Sequence, residues 1–250
     1  MPDILAQALG QPGLGWIVAV TLAAGIVYGF AGFGAALIFM PVASRLMPVE
    51  LAVASFNLAA MASLVTVVPQ AWRQVNRRSV VLMIAVATLT IPLGVRLLKS
   101  GDPETLRWAV LGVTAVTLLA LVSGWRYQAA PTPVARAAVA AGTGLVGGAT
   151  GLMGPVLILF QLAGRDSAAT SRATTLVFLT VTSLLLLPHM ALQGLITGQS
   201  VALGLLLLVP YGLGTRIGRS LFQPADERLY RYAAYVLIAC AVVAGLPVWD

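Results

Sequence analysis

The sequence predicts an all-α, polytopic membrane protein of about eight membrane segments, in two homologous four-segment repeats. Three observations predict it. Hydrophobic residues make up 59% of the 250 residues and charged residues 9%, against about 45–50% and about 25% in soluble domains. Lipid must therefore be the solvent for most of the chain, and intrinsic disorder is excluded. The charges fall in short clusters that leave apolar windows at 4–44, 51–72, 79–95, 108–125, 137–164, 173–215 and 232–249. The chain also repeats itself at an offset of 119 residues.

A spanning helix needs about 20 apolar residues. The windows accommodate segments at 15–43, 49–69, 79–98, 105–124, 134–161, 168–188, 199–221 and 228–247. The 173–215 window holds two segments, parted where Pro188-His189 through Gly198-Gln199 gather polar and turn-forming residues. Residues 125–133, with Pro131 and Pro133, read as a linker between a first repeat at 1–124 and a second at 134–250. Trp16, Trp72, Trp108, Trp125 and Trp249 fall near segment ends, as an interfacial aromatic belt does. No signal peptide is expected, because residues 1–15 carry only Asp3 where a basic region would stand. Cys240 is the one cysteine. It allows no intrachain disulfide and reads as a buried small apolar side chain.

The repeat is specific in its glycines. Gly25-Ile-Val-Tyr-Gly29-Phe-Ala-Gly32 lies over Gly144-Leu-Val-Gly-Gly148-Ala-Thr-Gly151, and Ala54-Ser55-Phe56-Asn57 over Ala173-Thr174-Thr175-Leu176. At an offset of 123, Arg96, Glu104 and Leu106 lie over Arg219, Glu227 and Leu229. Such doubling is the habit of transporters, whose sites lie between repeats, often on broken helices. Glycine lets the backbone leave the helix, and the N–H groups freed at the start of a half-helix favour an anion. Pro41 and Pro155 suggest further breaks. The competing reading, close helix packing at the same glycines, stays open.

The pattern Gly-Phe-Gly-Ala-Ala-Leu-Ile-Phe-Met-Pro at 32–41, followed by Ala-Val-Ala-Ser-Phe-Asn at 52–57, resembles the TauE/SafE family of membrane anion permeases. The resemblance covers nearly the whole chain. It implies transport of sulfite, sulfonates or related small organic anions, outward, with no cofactor. Carried over by position, it implies substrate-binding roles for Gly29, Gly32, Gly34, Ser55 and Asn57 in the first half, with Pro41. In the second half it implies Gly148, Gly151, Gly154, Thr174 and Thr175. The chain departs from the family pattern at Ala35 and Ala36, at Phe56-Asn57, and at Met153 and Pro155.

The residues themselves narrow the chemistry. Asp3, Glu50, Asp102, Glu104, Asp166, Asp226, Glu227 and Asp250 all fall at segment ends or in loops. Proton-coupled carriers place a carboxylate or His in the pathway and cation channels an acidic ring, so both readings lose ground. The neutral donors Ser55, Asn57, Ser63, Thr66, Thr174, Thr175, Thr180, Thr182 and Ser183 suit a compact oxyanion, although membrane hydroxyls commonly bond their own preceding carbonyls. Arg172 precedes the Ala173-Thr174-Thr175 motif and reads either as an electrostatic gate or as a snorkelling cation. His189 is the single histidine; a proton relay and a structural role are both open to it. Gln161 needs a polar partner.

No catalytic set can be assembled, so the chain reads as a non-enzyme, with no metal site and no cofactor. The net charge of +7 is explained by lipid headgroups and orientation rather than nucleic acid. The expected partners are a small anionic substrate and membrane lipid; a homodimer is compatible with the sequence. A multi-pass location in a cell membrane, the bacterial inner membrane, is expected. An anion channel, or a carrier for another small solute or a metal cation, stands as the alternative. Counting basic residues over eight crossings favours parallel repeats with both termini outside. If 15–43 and 134–161 each dip in and return, the repeats are inverted.

Overall fold

The computed structural model describes residues 2–124, 132–161, 168–221 and 227–246. The linker up to residue 131, Trp125 and Trp249 lie outside the described residues, as does the side chain of Gln161. Every regular element among the described residues is a helix. In order they are α1 (Pro2–Leu9), α2 (Leu14–Ala31), α3 (Ala35–Leu46), α4 (Val49–Ala60), α5 (Ser63–Thr66), α6 (Val68–Ala71), α7 (Arg77–Ser100), α8 (Pro103–Val122), α9 (Pro133–Thr150), α10 (Gly154–Gln161), α11 (Ala168–Leu192), α12 (Gly198–Leu221) and α13 (Glu227–Gly245). Six stretches are long and apolar enough to cross a membrane: Leu14–Ala31, Val49–Thr66, Arg77–Ser100, Pro103–Val122, Ala169–Leu192 and Gly198–Leu221.

Local chemistry fixes several starts. The side chain of Asn76 accepts from Ser79 N at 3.2 Å, Asp102 from Thr105 N at 3.0 Å, and Thr132 from Ala135 N at 3.1 Å. Each satisfies a donor that the first helical turn leaves unpaired. Pro103 and Pro133 follow their caps in the first turn, where a missing N–H costs nothing.

The first segment of each half differs from a single broken crossing. Gly32 and Gly34 take φ of 82° and 91°, and Gly151 takes 74°, values that side chains resist. The chain reverses at each. Gln11 Nε2 donates to Leu46 O at 3.0 Å, so α3 has returned to the level where α2 began. A Cβ placed on Gly142 would lie 3.4 Å from Val156, so α10 likewise folds back along α9. The 15–43 and 134–161 segments are therefore hairpins. Four further expectations shift. The 49–69 segment is divided into α4, α5 and α6. Pro188 lies inside α11, which continues to Leu192 before a turn at Gly194 (φ 76°). Pro155 sits in the first turn of α10 and opens the helix rather than breaking it. Cys240 is exposed on α13, because in lipid an apolar side chain has no need of burial.

Packing across the halves sets direction. Gly25 meets Gly214 and Gly29 meets Gly218, while Ser55 faces Gly204 and Thr66 faces Thr215. Hence α2, α4–α5 and α12 run the same way. Gly144 meets Ala87 and Gly148 meets Gly94; His189 Nε2 lies 3.3 Å from Thr88 O, and Gln193 donates to Pro92 O at 3.2 Å. Hence α7, α9 and α11 run together. Residues 72–76 and 193–197 are short turns, so the second set opposes the first. One face of the bundle then carries Arg73, Arg77, Arg78, Arg136, Arg172, Arg216 and Arg219. The other carries Arg45, Arg96, Lys99 and Arg107.

Candidate functional site

Both chain reversals border one interior cavity of about 30 Å³. From the first reversal come Gly34, Ala35, Ala36 and Leu37; from the second, Gly151, Met153 and Gly154. These are the N-terminal ends of α3 and α10. The first N–H groups of a helix have no acceptor within it, and the peptide dipoles place partial positive charge there. The two return helices approach from opposite faces of the bundle, so their positive ends converge on the same hollow.

The walls come from α2, α4, α5, α11 and α12: Tyr28, Phe56, Ser63, Thr180, Ser183 and Tyr211. The Tyr28 hydroxyl donates to Leu176 O at 3.1 Å and lies 2.9 Å from Thr180 Oγ1. Its ring stands 6.2 Å from that of Tyr211. Tyr211 meets Phe56 edge-on at 5.8 Å, and Phe56 stacks on Phe39 at 4.8 Å. The Ser63 hydroxyl is buried without a formed hydrogen bond, and Tyr211 shares the cavity wall with it. Among the described residues, no charged side chain lines the cavity.

The residues singled out in the sequence divide into three groups. Gly34, Gly151 and Gly154 border the cavity, and Gly32 forms the reversal beside them. Gly29 and Gly148 serve helix contacts instead: a Cβ on Gly29 would lie 2.9 Å from Gly218 Cα, and one on Gly148 2.9 Å from Gly94 Cα. Ser55, Asn57 and Thr175 bond carbonyls of their own helices, at Leu51 (2.7 Å), Val53 (2.7 Å) and Ser171 (2.9 Å), and none of them borders the cavity, nor does Thr174. Asn57 Oδ1 is buried without a partner.

Arg172 lies at the tip of α2. Its Nε donates to Phe30 O at 2.8 Å and its Nη2 to Gly29 O, so it caps carbonyls at the helix's negative end. Arg219 makes a similar bond, at 2.6 Å, to Thr66 O. Tyr28 and Tyr211 escaped the sequence reading. Aromatic residues in apolar helices carry no polar signature there, and Tyr211 lies 148 positions from its neighbour Ser63.

A larger groove of about 640 Å³ lies between α8, α9 and α10, but Val113, Val116, Val139, Val156 and Leu159 dominate its walls, and its Thr117 hydroxyl is held by Val113 O. It offers no donor set for an anion. Among the described residues no group of three or more His, Cys, Asp or Glu could hold a metal ion.

Six long apolar helices around a small hollow define a multi-pass membrane protein. The family model described as Sulfite exporter TauE/SafE matches residues 17–245, and the chain belongs to that family. No curated protein and no solved structure matches it.

Proposed function

We propose that the chain carries a small sulfur-containing or organic anion, such as sulfite or a sulfonate, outward across the bacterial inner membrane. The observation that carries this reading is the convergence of two helix N-termini, α3 and α10, on one cavity bounded by neutral donors. Positive helix ends aimed at a midplane site are how broken-helix transporters hold anions. Membership of a transporter family supports transport rather than catalysis. The cavity's small volume supports an occluded carrier over an open channel.

The proposed architecture is two repeats, 1–124 and 134–250, joined by the linker 125–133. Counting each hairpin as one segment, there are eight segments. The opposed directions of α2 and α9, and of α12 and α7, support inverted repeats. The arginine-rich face would be cytoplasmic by the positive-inside rule. Arg172 then stands at the entry mouth. Gly32, Gly34, Gly151 and Gly154 shape the site, while Gly29 and Gly148 hold the helices that carry it.

The driving force follows from charge. One elementary charge crossing 100 mV is worth about 2.3 kcal/mol. With the interior negative, an anion leaves without a coupling ion. The test is sulfite and sulfonate flux in proteoliposomes under a potassium diffusion potential. Flux should follow the potential; flux that ignores potential and requires a pH gradient would overturn the uncoupled reading.

A further inference from the structure

We infer that the cavity selects singly charged oxyanions over doubly charged ones, with Ser63 and Tyr211 as its specificity-determining hydroxyls. This rests on the exporter reading and names the substrate class of that same site.

Three observations lead to it. First, among the described residues no lysine, arginine, histidine or acid lines the cavity. An ion entering it exchanges hydration for dipoles alone. The cost of removing an ion from water rises with the square of its charge, so a dianion loses about four times what a monoanion loses. Partial charges at two helix ends sum to about one elementary charge, which matches a monoanion and leaves a dianion half compensated.

Second, among the described residues Ser63 and Thr143 are the buried hydroxyls without a hydrogen bond, and of the two Ser63 borders the cavity. Ser55, Thr66, Thr114, Thr175 and Thr182 each bond a carbonyl four residues back on their own helix. Ser63 is 1% exposed and makes no such bond. It stands where α4 yields to α5 through the turn at Met61 and Ala62. Its hydroxyl borders the same hollow as the first turn of α3, at Ala35, Ala36 and Leu37. An unpaired donor beside unpaired backbone donors is a site awaiting an acceptor.

Third, the Tyr28 hydroxyl is engaged by Leu176 O and Thr180, which leaves the Ser63–Tyr211 side of the cavity as the adaptable one. At about 30 Å³ the hollow holds one or two waters. It must widen to admit an anion, and compact oxyanions require the least widening.

The experiment uses the purified full-length chain in proteoliposomes with three probes: methanesulfonate, always singly charged; sulfate, doubly charged; and sulfite, which passes from one charge to two as pH rises. Methanesulfonate flux should stay flat with pH. Flux per total sulfite should fall as pH rises through the second ionisation. Sulfate should run at least about tenfold slower than methanesulfonate. Sulfate moving as fast as methanesulfonate, or sulfite flux rising with pH, overturns charge selection and leaves the exporter reading standing. No flux of any probe overturns both.

Ser63→Ala should raise KM for methanesulfonate about five- to tenfold, and Ser63→Thr should hold it within about twofold. Tyr211→Phe keeps the ring against Phe56 and removes only the phenol; it should raise KM similarly. Unchanged KM in both Ser63→Ala and Tyr211→Phe removes these hydroxyls from recognition.

Discussion

Gly29 distinguishes packing from binding. It belongs to the glycine-rich motif, yet its α-carbon faces α12. In Gly29→Ala the new Cβ would lie 2.8 Å from Arg219 N and 2.9 Å from Gly218 Cα. These are backbone atoms of a neighbouring helix, so no side chain can rotate away. Overpacking of this kind costs about 1–3 kcal/mol. Replacing glycine inside a helix returns about 0.8–1.0 kcal/mol. A net loss of up to about 2 kcal/mol corresponds to a fall in Tm of up to about 8 °C for a chain of this size. The assay is paired: thermal unfolding in detergent, and flux in proteoliposomes. Gly29→Ala should lower Tm by that amount and leave KM unchanged. Gly32→Ala makes the useful contrast. Its φ of 82° costs about 1–2 kcal/mol for any side chain, but the one tight neighbour of its Cβ is Arg172 Cγ at 2.8 Å, a flexible stem, with Arg172 O and Leu176 Cγ at 3.4 and 3.6 Å. On the proposed reading it should raise KM, because it disturbs the reversal at which α3 begins. If Gly29→Ala raises KM with Tm intact, Gly29 touches the substrate and the packing assignment fails.

Three further outcomes are expected. Gly32→Leu and Gly151→Leu should each abolish flux while membrane insertion, followed by fractionation, persists; normal flux in both would remove the reversals from the mechanism. Arg172→Gln should lower Tm through the lost charged hydrogen bonds to Gly29 and Phe30, each worth about 1.5–3 kcal/mol, and Arg172→Lys should restore little, since a point ammonium cannot span two carbonyls as the guanidinium fork does. Single cysteines introduced beside Arg77 and Arg219 should label from the same side of the membrane; labelling from opposite sides would refute the inverted repeats.

The sequence was most legible where the physics is collective. Charge spacing located the apolar segments, because hydrocarbon tolerates few exceptions. Glycine register located the two backbone breaks, at Gly32 and Gly151, because positive φ is nearly glycine's alone. What it blurred was function within the glycine set. Gly29 and Gly32 sit three residues apart in one motif, yet one meets a helix and the other turns the chain. Only the partner helix, 189 residues away at Gly218, separates them. Topology is hard to read for a related reason. A 29-residue apolar stretch at 15–43 is compatible with a tilted crossing or a hairpin, and counting basic residues presupposed the former. Ser55 and Asn57 looked like donors by type, but the carbonyl four residues back claimed each of them.

The absence of charge along the cavity walls has a physical rationale rather than being a deficit. A fixed arginine in the centre of the bundle would hold an anion tightly, and a carrier must also release it. Peptide dipoles at the starts of α3 and α10 supply attraction without a full charge that needs a counter-ion when the site is empty. They are also mechanically tied to the reversals: α3 is hinged at Gly32 and Gly34, α10 at Gly151. Shifting either return helix by part of a turn withdraws its N–H groups from the hollow, and attraction falls with it. Arg172 sits where such a shift would register, gripping the last carbonyls of α2 beside Gly32. On the proposed reading, the same backbone feature makes the site and offers the means of emptying it, which a side-chain cation on a rigid helix could not do.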